Sequence, residues 1–482
     1  MNRKHTITFF LLIACCLLTA VFNIVQAQHA LEAKDSIPLI DSLLKTATAK
    51  QVREVIIAGN KRTKIYIVQR ELAFKTGTTY DAKTLLEKIR LSKEQLINTT
   101  LFVSVEIVPV NIDSNQLDLQ VNVKERWYLF PFPYFKTIDR NWNEWLNTYN
   151  ASFSRVNYGV KISENNLTGR NDKLYVWLIN GYTRQVSFRY TQPYIDKKLK
   201  QGAFFGLQHA RTREVNFASS HDTLRFYKLP GFARSFTTAY AGYTYRQGSK
   251  ERHSLRLAYT TDKLDTAIIN RNPDFFGAGL RRQQFADLTY NFQYFNVDYI
   301  IYPLRGWYAD VYAGKRFSQN LNQWTLGGKF LQSWQVGKGN YFMFQGIGSI
   351  KLPFTQPYYN SHLLGYGDLT MRGMEYLVVD GVAGGIIKGT VRKKLLAFSV
   401  KNFVGIKNIQ RIPFSIYGKI YGDMGYVYSR NESNNSRLAN KLLRTAGVGV
   451  DIVTIYDLVL KIEFSLNQLG GRGVYYHAGS DF

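Results

Sequence analysis

The sequence predicts a mainly β protein, in which an antiparallel transmembrane β-barrel of about sixteen strands follows one small α+β domain. Three observations support this prediction. From about residue 150 to the end, short segments of alternating apolar and polar character repeat. Residues 51–126 instead mix helical and strand periods. Beyond the N-terminal segment, no stretch has the roughly 18 consecutive apolar residues that a transmembrane helix needs.

The N-terminus predicts a secretory signal peptide over residues 1–27. A charged start precedes an apolar stretch at Ile7–Val25, and a suitable cleavage site follows at Ala27. A retained membrane anchor is the alternative interpretation. Both cysteines, Cys15 and Cys16, lie inside this segment. We therefore expect a mature chain without disulfides, thiol catalysis or cysteine-bound metal.

Residues 28–50 are polar and predict a leader or tether, and residues 51–126 predict a compact domain of order β-α-α-β-β. Gly59-Asn60 ends the first, β-branched strand with turn chemistry. Asp81 is a suitable N-cap for the second helix. The last two strands are predicted at Phe102–Val110 and Leu117–Val123. A linker over 127–149 is expected to lead to the barrel, residues 150–482.

The barrel prediction rests on alternation that persists over the whole region. Ser254–Tyr259 is typical, because every second residue is apolar and the others are polar or small. At roughly 20 residues per strand with its share of loop, the region holds about sixteen strands, and about fourteen or eighteen are also compatible. A soluble β-sandwich or propeller is the alternative. It is disfavoured because the region shows neither a linker nor a blade-length repeat.

The formal net charge is +27. The lysines and arginines are spread along the chain without any nucleic-acid-binding motif, so nucleic acid is not a predicted partner. Phosphates of outer-membrane lipid and lipopolysaccharide are natural partners for exposed cations. The histidines have no metal-ligand spacing, and the sequence contains neither a Gly-x-Ser-x-Gly elbow nor a P-loop. We predict no enzyme activity, no cofactor and no metal.

The small domain resembles a POTRA domain. The similarity extends over residues 51–126, in order and in spacing. Its motif residues are Gly59, Asn60, Thr63, Arg70, Glu71, Gly77 and Phe102.

The following region resembles the BamA/TamA-like family of outer-membrane assembly and translocation barrels. Each motif is weak alone, and their order makes the set specific. The motifs are Asn166-Leu167-Thr168-Gly169, Gln192-Pro193-Tyr194, Asp298 with Pro303 and Gly306, Met371-Arg372-Gly373 with Tyr376, Asp423-Met424-Gly425, Gly449 and the terminal Phe482.

The resemblance implies that Arg372 and Gly373 lie on a loop folded into the lumen, with Asp423 on the wall as the partner of Arg372. An arginine there needs a carboxylate, because an unpaired buried charge is costly. The chain departs from the family at Lys388–Arg392, where a second carboxylate is absent. The aromatic residue of the loop is also displaced, to Tyr376. An ordinary exposed loop is the alternative for Arg372.

The resemblance implies an outer-membrane assembly or translocation factor of a Gram-negative bacterium, with its POTRA domain in the periplasm. Unfolded client proteins would add a strand to the edge of the POTRA sheet. The barrel would then insert or pass them, helped by a seam between its first and last strands, expected near Arg155–Ile162 and near Leu458–Leu469 or the C-terminal tail. Accessory lipoproteins are further partners that the resemblance allows. An outer-membrane channel or accessory barrel without insertase activity is the alternative function, and a barrel enzyme is a distant third.

Overall fold

A computed structural model describes residues 49–137, 150, 152–318, 322–401, 411–430 and 436–479. The predicted signal peptide and almost all of the predicted leader lie outside these ranges, as does the terminal Phe482.

The N-terminal domain is a small sheet packed against two helices. Its elements are β1 (Lys50–Ala58), α1 (Ile65–Arg70), β2 (Thr79–Tyr80), α2 (Ala82–Asn98), β3 (Phe102–Val110) and β4 (Gln116–Glu125). The sheet order is β2-β1-β4-β3, with β1 and β4 parallel. Asp81 caps α2, because its side chain accepts a hydrogen bond from the backbone N–H of Thr84 at 3.1 Å. The predicted order is confirmed, with one short extra strand.

The core of this domain follows from the strand period. Alternate apolar residues of β4 point towards the helices, where they are buried against Leu85 and Leu96 of α2. These β4 residues are Leu117, Leu119, Val121 and Val123.

A single sheet of sixteen strands follows, and neighbouring strands in it are antiparallel. The predicted count of about sixteen is confirmed. Its strands are β5 (Leu129–Thr137), β6 (Val156–Asn165), β7 (Lys173–Gly181), β8 (Thr183–Gln192), β9 (Gln201–Thr212), β12 (Arg234–Tyr245), β13 (Glu251–Leu264), β14 (Arg282–Val297), β15 (Gly306–Ser318), β16 (Gln323–Gly337), β17 (Asn340–Leu352), β20 (Ala383–Lys401), β21 (Arg411–Tyr428), β22 (Leu442–Thr454), β23 (Val459–Asn467) and β24 (Arg472–Ala478).

This sheet begins earlier than the sequence predicts. Residues 127–149 are predicted as a linker, but β5 lies within them and pairs with β6. Pro131 and Pro133 argue against a strand in the sequence, because proline has no backbone N–H to donate to a neighbouring strand. The structure tolerates them because β5 is an edge strand, paired on one side. The predicted first strand, Arg155–Ile162, largely coincides with the second strand of the sheet, β6.

The wall is apolar outside and polar inside, as a membrane barrel requires. On β23 the polar residues Glu463 and Ser465 are buried inside the barrel. The residues that alternate with them are exposed, and they are Leu460, Ile462, Phe464 and Leu466.

Most long insertions lie at the end of the barrel away from the N-terminal domain. They contain the hairpin β10 (Glu214–Ser220) and β11 (Thr223–Lys228), helix α3 (Thr266–Arg271), and a loop over residues 353–382 with β18 (His362–Leu364) and β19 (Val379–Asp380). Val215, Ile268 and Tyr358 pack in one buried cluster, which joins the three insertions. Among the described residues, no helix is long and apolar enough to cross a membrane.

The first and last strands of the sheet form a seam. Among the described residues, β5 pairs with β6 alone and β24 pairs with β23 alone, with no ladder between β5 and β24. The ring of Phe130 on β5 lies 5.8 Å from that of Tyr456, in the turn before β23. The seam therefore separates two strand edges.

Candidate functional site

Arg372 lies on the 353–382 loop, which folds into the barrel and is called the lumen loop below. Its Nε donates to Oδ2 of Asp423 on β21 at 3.0 Å, and its backbone N–H donates to the same oxygen at 3.1 Å. Its Nη2 donates to Oδ1 of Asp423. The Asp423 side chain is fully buried. The structure therefore brings the two residues together and holds the loop against the wall.

Gly373 follows at the point of closest approach to the wall. Its φ is +82°, and a Cβ added there would lie 2.8 Å from Cβ of Ser465. Any other residue would be both strained and obstructed. The Gly373 carbonyl also accepts a hydrogen bond from Nδ2 of Asn467 at 2.8 Å. Tyr376 is largely exposed, with its ring 6.0 Å from that of Tyr475 on the last strand.

Two contacts of Arg372 are absent from the sequence prediction. Strand β20 contains no Asp or Glu, and the hydroxyl of Thr390 accepts a hydrogen bond from Nη1 of Arg372 at 3.0 Å instead. The guanidinium carbon lies 3.9 Å from the ring centroid of Tyr421. Tyr421 lies two residues before Asp423, so the strand period places both on one face. The Thr390 hydroxyl and the Tyr421 ring thus contact Arg372, where the family resemblance implies a second carboxylate.

A second charged cluster lies closer to the N-terminal domain. Nζ of Lys419 lies 2.5 Å from Asp451 and 2.6 Å from Glu463. The hydroxyl of Tyr302 donates to Asp451 at 2.9 Å, and Tyr302 is 2% exposed. Tyr302 belongs to the turn between β14 and β15, so this turn also enters the lumen. We call it the lumen turn.

Asp298, Pro303 and Gly306 organise the lumen turn. The carbonyl of Pro303 accepts a hydrogen bond from the Ser333 hydroxyl at 3.2 Å. Gly306, the first residue of β15, adopts a φ of +96°. Oδ1 of Asp298 accepts hydrogen bonds from the backbone N–H groups of Tyr299, Leu304 and Arg305.

Glu375, Glu463 and His477 bring potential metal-ligand atoms within 4.8 Å of one another. The spacing of histidines in the sequence does not predict this group. Nε2 of His477 lies 3.5 Å from Glu375 and 3.4 Å from Glu463. Glu463 also pairs with Lys419. The geometry is therefore accounted for by ion pairing when His477 is protonated.

The N-terminal domain docks on the barrel rim through Arg70 and Glu71. Nη1 of Arg70 donates to Oε1 of Glu71 at 2.8 Å, and Nη1 of Arg246, in the turn after β12, lies 3.3 Å from the same oxygen. The hydroxyl of Tyr194 accepts from Arg246 at 2.7 Å and donates to Glu71 at 3.4 Å. Pro193 precedes Tyr194 and lines a cavity behind this contact. The Arg70-Glu71 motif of the N-terminal domain and the Pro193-Tyr194 motif of the barrel thus lie on opposite sides of one interface.

The charge state of Glu71 follows from these partners. Burial raises the pKa of the Glu71 carboxyl, but the positive charges of Arg246 and Arg70 outweigh it, so the pKa lies below its ordinary value. Glu71 is therefore ionised at neutral pH, and its pair with Arg246 is an ion pair.

A second contact joins the domain to the turn between β6 and β7. Nδ2 of the fully buried Asn166 donates to the hydroxyl of Thr63 at 2.9 Å. Gly169 has a φ of +83°, and a Cβ added there would lie 2.3 Å from the carbonyl oxygen of Arg62. Within the domain, Nδ2 of Asn60 donates to the carbonyl of Thr63 at 3.0 Å.

A third contact was not predicted from sequence. Arg126 follows β4, and its Nη1 and Nη2 donate to the two carboxylate oxygens of Asp457 at 2.6 and 3.0 Å. Asp457 lies in the turn between β22 and β23 and also accepts from the hydroxyl of Tyr299 at 2.6 Å. This pairing connects the N-terminal domain, the lumen turn and the strands beside the seam.

The remaining predicted residues serve local packing. Gly59 follows the end of β1, the N–H of Gly77 donates to the carbonyl of Val52 at 2.8 Å, and Phe102 is buried in the domain core. In the barrel, a Cβ added to Gly425 would lie 2.8 Å from Sδ of Met371, and one added to Gly449 would lie 3.0 Å from Cε of Lys419.

Comparisons with known proteins agree with this architecture. Residues 51–126 match the family model described as POTRA, surface antigen variable number repeat. No curated protein sequence matches the chain. Among solved structures, BamA from Haemophilus ducreyi lacking POTRA domains 1–3 is similar with a TM-score of 0.50 and 16% identity, covering 89% of this chain and 84% of that one. CdiB from Escherichia coli has a TM-score of 0.51 and 10% identity, with coverage of 89% and 76%. The chain therefore carries a POTRA domain at residues 51–126, followed by a barrel whose fold is similar to those of BamA and CdiB.

Proposed function

We propose that this protein is an outer-membrane factor for protein assembly or secretion, with its POTRA domain in the periplasm. The domain takes up unfolded client polypeptides, and the seam releases them into or across the membrane. The observation that carries the proposal is a lumen entered by chain segments from both ends, beside a seam at which the described residues of β5 and β24 form no ladder. Outer-membrane lipid and lipopolysaccharide are expected to surround the apolar wall, and accessory lipoproteins are candidate partners.

The occupied lumen argues for a route through the wall. The lumen loop is held by the pair of Arg372 with Asp423, and the lumen turn by the hydrogen bond of Tyr302 to Asp451. A porin keeps a water-filled interior. Unpaired strand edges instead present free N–H and C=O groups, which template the pairing of an incoming strand. The seam therefore suits a client in β conformation.

The POTRA sheet offers edges of the same kind. Strand β3 is paired on one side, and β2 covers only Lys50 and Gln51 of β1. A client segment added to either edge gains main-chain hydrogen bonds without a fixed sequence.

An outer-membrane channel or accessory barrel without insertase activity is the second candidate. Thr390 lies where the family resemblance implies a charged partner, so Arg372 pairs with one carboxylate, that of Asp423. The lumen loop is then held less firmly and can move more easily. In this case Arg372→Ala releases the loop and raises single-channel conductance in planar bilayers, while locking the seam leaves client assembly unchanged. Under the first proposal, the locked seam stops assembly.

The seam is tested by crosslinking it. Both native cysteines lie in the predicted signal peptide, so a mature chain carrying Tyr134→Cys and Val474→Cys can be bridged with a bismaleimide. Tyr134 lies on β5 and Val474 on β24, the two strands that flank the seam. The matched control is Leu326→Cys with Ile350→Cys, which are partners inside the sheet. Insertion of a barrel client into proteoliposomes should stop only when the seam is bridged. Undiminished insertion with a bridged seam would overturn the proposal.

A further inference from the structure

A cavity of about 800 Å³ lies between helix α2 of the POTRA domain and the inner wall of the barrel. We call it the vestibule. It is bounded by Glu94 and Asn98 of α2 on one side and by residues of β7, β8, β13 and β14 on the other. A client leaving the POTRA domain towards the lumen would meet this space first.

The vestibule is strongly cationic. Seven lysines or arginines line it, against three carboxylates. All three carboxylates are already engaged. Glu71 pairs with Arg246, Glu94 pairs with Arg90, and Asp298 accepts backbone hydrogen bonds in the lumen turn.

Four of the cations lack such a partner. Within the described ranges, Lys173, Arg189, Lys250 and Arg252 have no carboxylate within ion-pair distance, and all but Lys250 lie on strands of the wall. Nε of Arg252 is also buried without a hydrogen-bond acceptor. The guanidinium groups rest on aromatic rings, with Arg252 4.3 Å from the ring centroid of Phe295 and Arg189 5.8 Å from that of Phe204. Lys173 and Arg252 are partly buried and Arg189 is exposed to the cavity. Positive charge gathered on one wall without counter-ions attracts an anionic ligand.

The spacing of Lys173, Arg189 and Arg252 favours an extended polypeptide as the ligand over a compact anion such as phosphate. Lys173 and Arg189 lie on neighbouring strands, whereas Arg252 lies on β13, three strand spacings from β8. At about 4.8 Å per spacing, this is about 15 Å of wall. That width exceeds a single phosphate and fits about four or five residues of extended polypeptide. Thr191, Ser254 and Gln293 also line the vestibule and can hydrogen-bond to a polypeptide backbone.

We propose that the vestibule binds an acidic segment of the client polypeptide, which it holds between the POTRA domain and the barrel lumen. This proposal rests on the proposed function and names a class of substrate for it. Carboxylates on the client would replace the missing partners of Lys173, Arg189 and Arg252. Engagement would be electrostatic, and therefore tolerant of sequence and weakened by salt.

The test uses the full mature chain, purified and folded in detergent. Fluorescence anisotropy measures the binding of a short labelled peptide of alternating Glu and Ser, and a Gln/Ser peptide is the neutral control. The double variant Arg189→Gln/Arg252→Gln should raise the Kd for the acidic peptide by roughly tenfold or more. The matched variant Arg225→Gln/Arg411→Gln, which leaves the vestibule unchanged, should leave it unaltered. Heat-modifiability on gels shows that each variant is folded.

Equal binding of the acidic and neutral peptides would overturn the proposal, as would unchanged affinity in the folded double variant. Binding of short-chain polyphosphate without binding of the acidic peptide would also overturn it, because the ligand would then be a phosphate anion. The result of the peptide-binding test can be distinguished from the result of the seam-crosslinking test of the proposed function. Loss of peptide binding in the double variant, together with client insertion through a bridged seam, would support the vestibule and reject the seam.

Discussion

Glu71 of the POTRA domain and Arg246 of the barrel rim form an ion pair, although 175 residues separate them in the chain. Only 2% of the Glu71 side chain and 13% of the Arg246 side chain is exposed. Tyr194 bridges the two with its hydroxyl. The Arg-Glu motif of the POTRA domain and the Pro-Tyr motif of the barrel thus form one docking contact, which fixes the domain across the mouth of the lumen.

Glu71→Gln should undock the POTRA domain. Removing one partner leaves Arg246 buried and unpaired, which costs roughly 3–5 kcal/mol. Spin labels at Lys83→Cys on α2 and Lys338→Cys in the turn after β16 report docking by pulsed EPR, and the narrow distance distribution should broaden. Glu94→Gln is the control, because its exposed helical pair with Arg90 is worth about 0.3–0.5 kcal/mol. A narrow distribution in Glu71→Gln would contradict the assigned role.

Docking should also depend on pH. The pKa of Glu71 is lowered in the folded protein, so its pair contributes fully above the ordinary value of about 4.3 and is lost as the pH falls below the folded-state value. The same labels should show a docked domain at neutral pH and progressive undocking as the pH falls through the lowered pKa of Glu71. The Glu71→Gln variant should lack this transition. An identical transition in the variant would assign it to other groups.

The pair of Arg372 and Asp423 should be coupled energetically. Arg372→Ala and Asp423→Ala should each lower the temperature at which heat-modifiability is lost, because each leaves a charge unpaired. The double variant should lose less than the sum of the single losses, since it leaves neither charge behind. A double variant that equals the sum would mean that the two residues act independently.

Thr390→Val should weaken the anchor of the lumen loop. It deletes the hydroxyl that accepts from Arg372, and a hydrogen bond to a charged group is worth roughly 1.5–3 kcal/mol. Thr445→Val is a close control on the neighbouring wall. Thr445 pairs with Asp423 in the sheet, and in the part of the chain that the structure describes its buried hydroxyl has no hydrogen-bond partner. Urea unfolding should show a loss for Thr390→Val only, and equal losses would refute the assignment.

The architecture was predictable because its signals are local. Alternation along each strand depends only on which face meets lipid, and it predicted a barrel, while the length of the region predicted about sixteen strands. The N-cap at Asp81 depends on the adjacent turn alone. Strand β5 was not predicted, because recognising it depends on its position in the folded sheet and not on a local signal. Its prolines argue against a strand until the fold shows that it lies at an edge.

The sequence by itself determined the alternation of lipid-facing and lumen-facing residues, the approximate number of strands and the motifs that are present. Only the tertiary structure decided which motifs meet. The contacts of Glu71 with Arg246, of Asn166 with Thr63 and of Arg126 with Asp457 join residues more than 100 positions apart. Local periodicity places a side chain on a face, but the partner across a gap depends on how the sheet curves and where the domain docks. The same reason explains why the sequence indicated Asp423 for Arg372, while Thr390 and Tyr421 emerged only from the folded wall.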